Sequence, residues 1–329
     1  MAGYKNFNFM FFILYNDFYL LTLREAASLT NFRAMSIIFN KNLLAFRPVI
    51  FPNNPLAFSN KENKWSEHLF NDDFPVKNPS CFVFYESFYR DLKNLKFFQH
   101  LRDNYPDCKL VLWIINPIHV CQKVRGMFVD DADTKEILST FDCIFTYNQV
   151  DAMDYGLTYF EGPYSVLPYE QPKEEVDIFF VGLAKNRLEK ILRAYESFKA
   201  AGFICDFHIA DIPNPISTNF DDLHFNRYLS YAEVLEHVLH SRAVLDIAQR
   251  GTYGLTMRYF ESLAYNKNFI TDNAFYRQDR FTSPKLFLID RSLEIDKEKF
   301  MDAAKFSSNY KNEYSPLRLI SFLESILNV

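Results

Sequence analysis

Residues 243–273 read AVLDIAQRGTYGLTMRYFESLAYNKNFITDN. The opening run AVLDI has the length and apolar content of a buried strand, and NFIT at 268–271 repeats that character at the far end. Between them lie a turn at 249–254 with two glycines and a helix carrying Arg and Glu near its start. Strand, turn, helix and strand make half of an open α/β nucleotide-binding domain. Ligands of such sheets bind beyond the carboxyl ends of the strands, where this turn stands. Gly251 and Gly254 let backbone approach a ligand closely, and the N–H groups near Thr256 can face a diphosphate. Arg258 falls in the first helical turn, where the macrodipole disfavours a cation by about 0.3–1 kcal/mol. A bound anion offsets that cost. So does Glu261, three residues on along the same helical face, so spacing alone fits a capped helix with an Arg–Glu ion pair equally well.

The strand–helix rhythm extends outward from this stretch. Upstream, 176–181 reads as a strand, 185–200 as a helix and 205–210 as a strand. A helix over 231–240 begins with the Ser230/Glu233 pair of a capping box, after a long loop at 213–226. Downstream come a strand at 286–290 and a closing helix at 316–327. In the first half, strands fall at 9–15, 81–86, 109–116 and 142–148, with a helix over 88–104. Continuous apolar strands separated by helices predict parallel sheets covered on both faces. The polar segment PYEQPKEE at 168–175 interrupts the rhythm. The expected division is therefore a first domain at 1–168, a linker at 169–175, a second domain at 176–315 and a closing helix at 316–329.

Composition narrows the function. The 329 residues suffice for two domains, and 49% hydrophobic residues supply their cores. The 36 Phe and 20 Tyr against 8 Gly fit AT-rich codon usage, and an aromatic ligand surface is the other reading. A net charge of −5 argues against a nucleic-acid partner, which would need a broad basic face. The cations are local instead: Lys185, Arg187, Lys190 and Arg193 follow one strand, Arg250 and Arg258 another. That placement suits a phosphate-bearing small molecule. Five scattered cysteines lack metal-ligand spacing and predict buried thiols in a reducing cytoplasm. The apolar stretch 7–23 is broken by Asn8, Asn16 and Asp17 and has no basic lead, so it predicts a core strand rather than a signal or a membrane span. Met35 is an alternative natural start.

The segment LDIAQ followed by GLTMRYFESLAYNKNFIT resembles the donor site of GT-B glycosyltransferases. More broadly, KLVLWIINPI, FDCIFTYNQVDAMDYGL, DIFFVGLAKNR and 231–273 are collinear with bacterial lipopolysaccharide-core and capsular-polysaccharide glycosyltransferase-like proteins. The resemblance covers about Val49 to Asn273. It implies an α/β chain of GT-B type, two doubly wound Rossmann-like domains facing a central cleft. It implies that Glu261 takes the ribose hydroxyls of a nucleotide-sugar, and that the loop with Gly182, Lys185 and Arg187 faces the donor phosphates. Arg250, Tyr253, Gly254, Thr256 and Arg258 complete the expected donor site. One departure stands out: Tyr253 lies eight residues before Glu261, where the family's paired-glutamate pattern has a Glu.

In the first half, strand ends present Glu86, Asn116, His119, Tyr147, Asn148 and Asp151. Glu86 and His119 are the candidate general bases for an acceptor hydroxyl. Asp131-Ala132-Asp133 has the D-x-D form of a metal–diphosphate motif, yet it opens a helix, where acidic residues are favoured anyway. His237 and His240 share a helix without an apparent third ligand, so no metal and no cofactor beyond the nucleotide-sugar substrate is expected.

The reading is a metal-independent, cytoplasmic glycosyltransferase moving a sugar from a nucleotide-sugar donor to a surface-polysaccharide or lipid-linked acceptor. Peripheral contact with the inner face of the membrane is left open. The rivals are a non-catalytic GT-B subunit that binds a glycan or partner enzyme, and a nucleotide-sugar epimerase or polyol-phosphate transferase on the same architecture.

Overall fold

The computed structural model describes residues 7–13, 21–40, 43–48, 80–94, 96–170, 172–212 and 221–327. The chain divides into two compact units, Met1–Ser165 with Tyr314–Val329, and Val166–Glu313. The closing helix Pro316–Leu327 therefore belongs with the first unit.

Among the described residues, seven strands build the first unit: β1 (Asn8–Ile13), β2 (Phe32–Asn40), β3 (Leu43–Pro48), β4 (Ser80–Tyr85), β5 (Lys109–Ile114), β6 (Cys143–Thr146) and β7 (Thr158–Tyr159). They form one sheet in the order β3-β2-β1-β4-β5-β6-β7, parallel except for the β2–β3 hairpin. Because side chains alternate across a strand, neighbouring aromatics serve opposite faces. Phe12 stacks on Phe84 with centroids 4.5 Å apart, and Phe84 meets Phe98 edge-on at 5.2 Å, so the helix Phe97–Asn104 covers that face. On the other face Tyr85 meets Trp113 at 4.8 Å, Trp113 stacks on Phe145 at 5.3 Å, and Phe145 meets Phe322 of the closing helix at 6.1 Å. Much of the aromatic excess is core.

β1 lies inside this sheet, between β2 and β4. A chain beginning at Met35 would start within β2 and lack β1. The strand expected at 9–15 begins one residue earlier, and its last two positions lie outside the described residues. The single helix expected over 88–104 is instead two, Tyr89–Asn94 and Phe97–Asn104, with Lys96 between them at a left-handed φ of 54°. The turn allows the adjacent Phe97 and Phe98 both to be buried.

Among its described residues the second unit has six strands, β8 (Val176–Leu183), β9 (Cys205–Ala210), β10 (Leu223–Phe225), β11 (Ser241–Asp246), β12 (Asn268–Thr271) and β13 (Leu286–Leu288). All are parallel, in the order β10-β9-β8-β11-β12-β13. Counted within the unit this is 3-2-1-4-5-6, the order of dinucleotide-binding sheets. Helix Leu188–Ala200 turns Ile191, Ala194 and Phe198 toward Ile178, Phe180 and Phe207 on one face. Helix Tyr231–His240 lies on the other, where His237 stacks on Phe179 at 5.2 Å. The capping box at its start is complete: Ser230 Oγ accepts from the Glu233 N–H at 3.2 Å, and the Glu233 carboxylate from the Ser230 N–H at 2.7 Å. The loop expected at 213–226 contains β10, an edge strand of three residues and too short to show a period in sequence; positions 213–220 lie outside the described residues.

An α/β chain with two doubly wound units, as a GT-B topology requires, is therefore present. No helix among the described residues is long and apolar enough to cross a membrane. The five cysteines are free thiols.

Candidate functional site

The strand order of the second unit reverses between β8 and β11. Beyond β8 the sheet continues through β9, and beyond β11 through β12. Loops leaving the carboxyl ends of β8 and β11 diverge, which opens the crevice where ligands of such sheets bind. Arg187 fastens the two loops to each other. Its guanidinium donates to the Ile247 carbonyl and, at 3.3 Å, to the Leu183 carbonyl. Glycine at 182 has a steric reason here, since a Cβ would lie 3.1 Å from Arg187 Nη2 and 3.3 Å from the Phe180 ring. Lys185 is exposed and its Nζ donates to Gln249 Oε1 at 2.7 Å. Arg250 is exposed on the turn beside Gly251, whose φ of 83° is one that L side chains rarely adopt.

A buried acidic layer lies beneath these cations. Asp246 ends β11 and accepts from Thr256 Oγ1 at 3.1 Å. Asp272 follows β12, accepts from the Ala248 N–H at 2.6 Å and pairs with Lys190. The guanidinium of Arg187 is held charged by both carboxylates against a burial that lowers its pKa. Sequence reasoning missed Asp246 and Asp272. The signal was available, because each closes an apolar strand, the feature that singled out Glu86.

Two expectations about this loop are corrected. The Thr256 N–H does not stand free for a diphosphate: it donates to Tyr276 Oη at 3.1 Å. Gly254 is buried, and its carbonyl accepts from Asn273 Nδ2 at 3.2 Å, so this glycine packs rather than lining an open approach. Tyr253 sets its ring edge-on to Phe275 at 5.2 Å.

Arg258 and Glu261 pair at 2.8 Å, with side-chain exposures of 15% and 0%. Glu261 Oε1 also accepts from Tyr231 Oη at 3.0 Å. Tyr231 was not singled out in sequence, since its capping-helix position gave no hint of a carboxylate opposite. Arg258 Nη1 and Glu261 Oε2 are buried and face each other as an ion pair, with no further hydrogen-bond partner for either atom. Arg258 is the member of the pair that reaches the surface. Burial pushes the Glu261 carboxyl up to about 7, against the downward pull of Arg258 and Tyr231.

That shift predicts a pH dependence. Between about 4.5 and about 7 the folded chain keeps a proton on Glu261 that the unfolded chain has lost. Stability supplied by this group is thus complete below the lower value and declines as pH rises, by at most ~1.4 kcal/mol per pH unit. Melting curves of wild type and Glu261→Gln should show the wild type losing ground from pH 5 to about 7 and levelling off above it; a constant difference across that range would contradict the shift.

In the first unit, Glu86 is 1% exposed. Its Oε2 accepts from the Ile115 N–H at 3.0 Å and its Oε1 from Asn116 Nδ2 at 2.7 Å. Burial raises its pKa. His119 is exposed, in the short helix Ile118–Val120 whose first N–H donates to Asp151 Oδ2 at 2.9 Å. Asn148 caps the helix Gln149–Tyr155. In the D-x-D segment, Asp133 pairs with Arg90 at 2.7 Å and its N–H donates to the cap Asp130 at 2.8 Å, so these acids build a helix start. The expectation that His237 lacks further ligands is also corrected. Asp206 and His208 of β9 come to it in space, whereas His240 stays outside the group.

No family model matches the chain, and no curated protein matches it. Among solved structures it resembles an alpha-glucosyltransferase in complex with UDP and DNA containing an HMU base, at 11% identity, TM-score 0.44 and 75% coverage of each chain. It also resembles the catalytic domain of starch synthase IV from Arabidopsis thaliana bound to ADP and acarbose, at 8% identity and TM-score 0.46, covering 76% of this chain and 73% of that one. A third is the DNA-modifying enzyme beta-glucosyltransferase, at 13% identity, TM-score 0.36 and 76% coverage of each chain. Likeness at this level assigns the chain neither substrate nor partner.

Proposed function

We propose that this chain is a nucleotide-sugar-dependent glycosyltransferase of GT-B type, with the donor diphosphate at the carboxyl ends of β8 and β11. The observation that carries the reading is the gathering of Lys185, Arg187 and Arg258 at the switch point of a 3-2-1-4-5-6 sheet. In the transfer, an acceptor hydroxyl attacks the anomeric carbon, the bond to the diphosphate breaks and the hydroxyl proton passes to a base. Lys185 and Arg258 stabilise the departing diphosphate, and Arg187 holds the two loops in place for them. Glu261, with no accessible surface, acts by holding Arg258. Of the two base candidates His119 is the one solvent reaches, while Glu86 is fully engaged in positioning Asn116 and Ile115. Following the sequence resemblance, the acceptor is a growing surface glycan or its lipid-linked precursor.

The test is release of nucleotide from UDP-, GDP-, ADP- and CMP-sugars, with and without glycan and lipid-linked acceptors and with a DNA duplex as the negative arm. Acceptor-stimulated release from one donor supports the reading. Binding of a nucleotide with no release from any donor favours a non-catalytic subunit, the reading that Tyr253 in place of a glutamate supports.

A further inference from the structure

We propose that the second unit binds one divalent transition-metal ion through Asp206, His208 and His237. Asp206 and His208 project from the same face of β9, two residues apart, and His237 comes down on them from the helix Tyr231–His240. Each offers a ligand atom, and the three atoms lie within 4.8 Å of one another. Asp206 Oδ1 stands 2.8 Å from His208 Nε2, and Oδ2 stands 2.6 Å from His237 Nδ1. In a tetrahedral zinc site, neighbouring ligand atoms are about 3.3 Å apart, given metal–ligand lengths of about 2.0–2.1 Å. Both contacts to Asp206 lie within an ångström of that spacing and the three ligand atoms within 4.8 Å of one another, so side-chain adjustment without backbone change admits an ion.

Two further features favour a site over a closed hydrogen-bond network. His224 of β10, stacked on His208 at 4.4 Å, puts its Nε2 3.9 Å from Asp206 Oδ1, where it or a water can complete four ligands. Entry is open, because His224 and His237 are 34% and 30% exposed. Two or three imidazoles with one carboxylate suit Zn²⁺, Co²⁺ or Ni²⁺, and do not suit Mg²⁺ or Ca²⁺, which want oxygen ligands. The ion would tie β9 to the helix that supplies Tyr231 to Glu261, a structural clip outside the donor crevice. The proposal does not depend on the transferase reading.

The experiment uses the full chain stripped with EDTA and dialysed into a non-coordinating buffer at neutral pH. Calorimetry with Zn²⁺ should show one ion per chain and a raised melting temperature, with no response to Mg²⁺. Co²⁺ should give the intense visible bands of a four-coordinate nitrogen–oxygen site, abolished by added Zn²⁺. Asp206→Asn and His237→Gln should weaken Zn²⁺ at least ~10–100-fold, since even partners of metal ligands are worth that much. Wild-type protein that takes up no Zn²⁺ and shows no Co²⁺ bands would overturn the proposal, as would folded variants that bind Zn²⁺ unchanged. The Co²⁺ spectrum decides the matter even where a variant fails to fold.

Discussion

Arg258→Ala is expected to weaken nucleotide-diphosphate binding by about 10- to 150-fold, the worth of a charged hydrogen bond at ~1.5–3 kcal/mol. The same change should destabilise the fold in a pH-dependent way. With Arg258 gone, Glu261 is left buried opposite Tyr231 alone. Breaking a buried pair by removing one partner costs about 3–5 kcal/mol when the other stays charged. Glu261 avoids that cost by keeping its proton, which its raised pKa of about 7 already favours. The stability loss should therefore be small near pH 6 and grow above about pH 7, by at most ~1.4 kcal/mol per pH unit. Adding Glu261→Gln to Arg258→Ala should restore most of the stability at pH 8 and none of the affinity. A double variant that regains nucleotide binding would show that Arg258 serves only to neutralise Glu261.

The second large effect lies in the first unit. Phe12→Ala should cost about 3–5 kcal/mol, as expected for a large aromatic removed from a packed core. Phe12 is 2% exposed, stacks on Phe84 at 6° and meets Phe97 edge-on at 6.1 Å. Its strand is interior to the sheet, so no solvent-facing side is available for collapse. Against a typical stability of about 5–15 kcal/mol, this one change removes a large share. Denaturant unfolding measures it, and a loss under 1 kcal/mol would mean that β1 is not packed as described.

The sequence made the donor-side elements legible because each carried its own local signal. Ser230 and Glu233 announced the capping box, and Arg258 and Glu261 the same-face pair at one turn's spacing. Contacts that join distant elements were not legible. Nothing near Thr256 announces that Tyr276 will accept its N–H, and nothing near Glu261 points to Tyr231. The His237 group shows the same limit, since its other members come from a strand about thirty residues earlier, brought in by the crossover. Gly182 was read for phosphate access, whereas in three dimensions it clears space for Arg187. Periodicity finds elements, but it does not show which side chains meet once the sheet is assembled.

The most direct measurement is calorimetric titration of UDP, GDP, ADP, CDP and CMP into wild type, Lys185→Ala and Arg258→Ala, with melting curves alongside. One nucleotide should bind the wild type at one site per chain, and at ~100 times its Kd should stabilise it by about 2.7 kcal/mol. Both variants should bind that nucleotide at least tenfold more weakly while remaining folded at pH 6. If no nucleotide binds the folded wild type, or if one binds equally well without Lys185 and Arg258, the crevice beyond β8 and β11 is not a donor site.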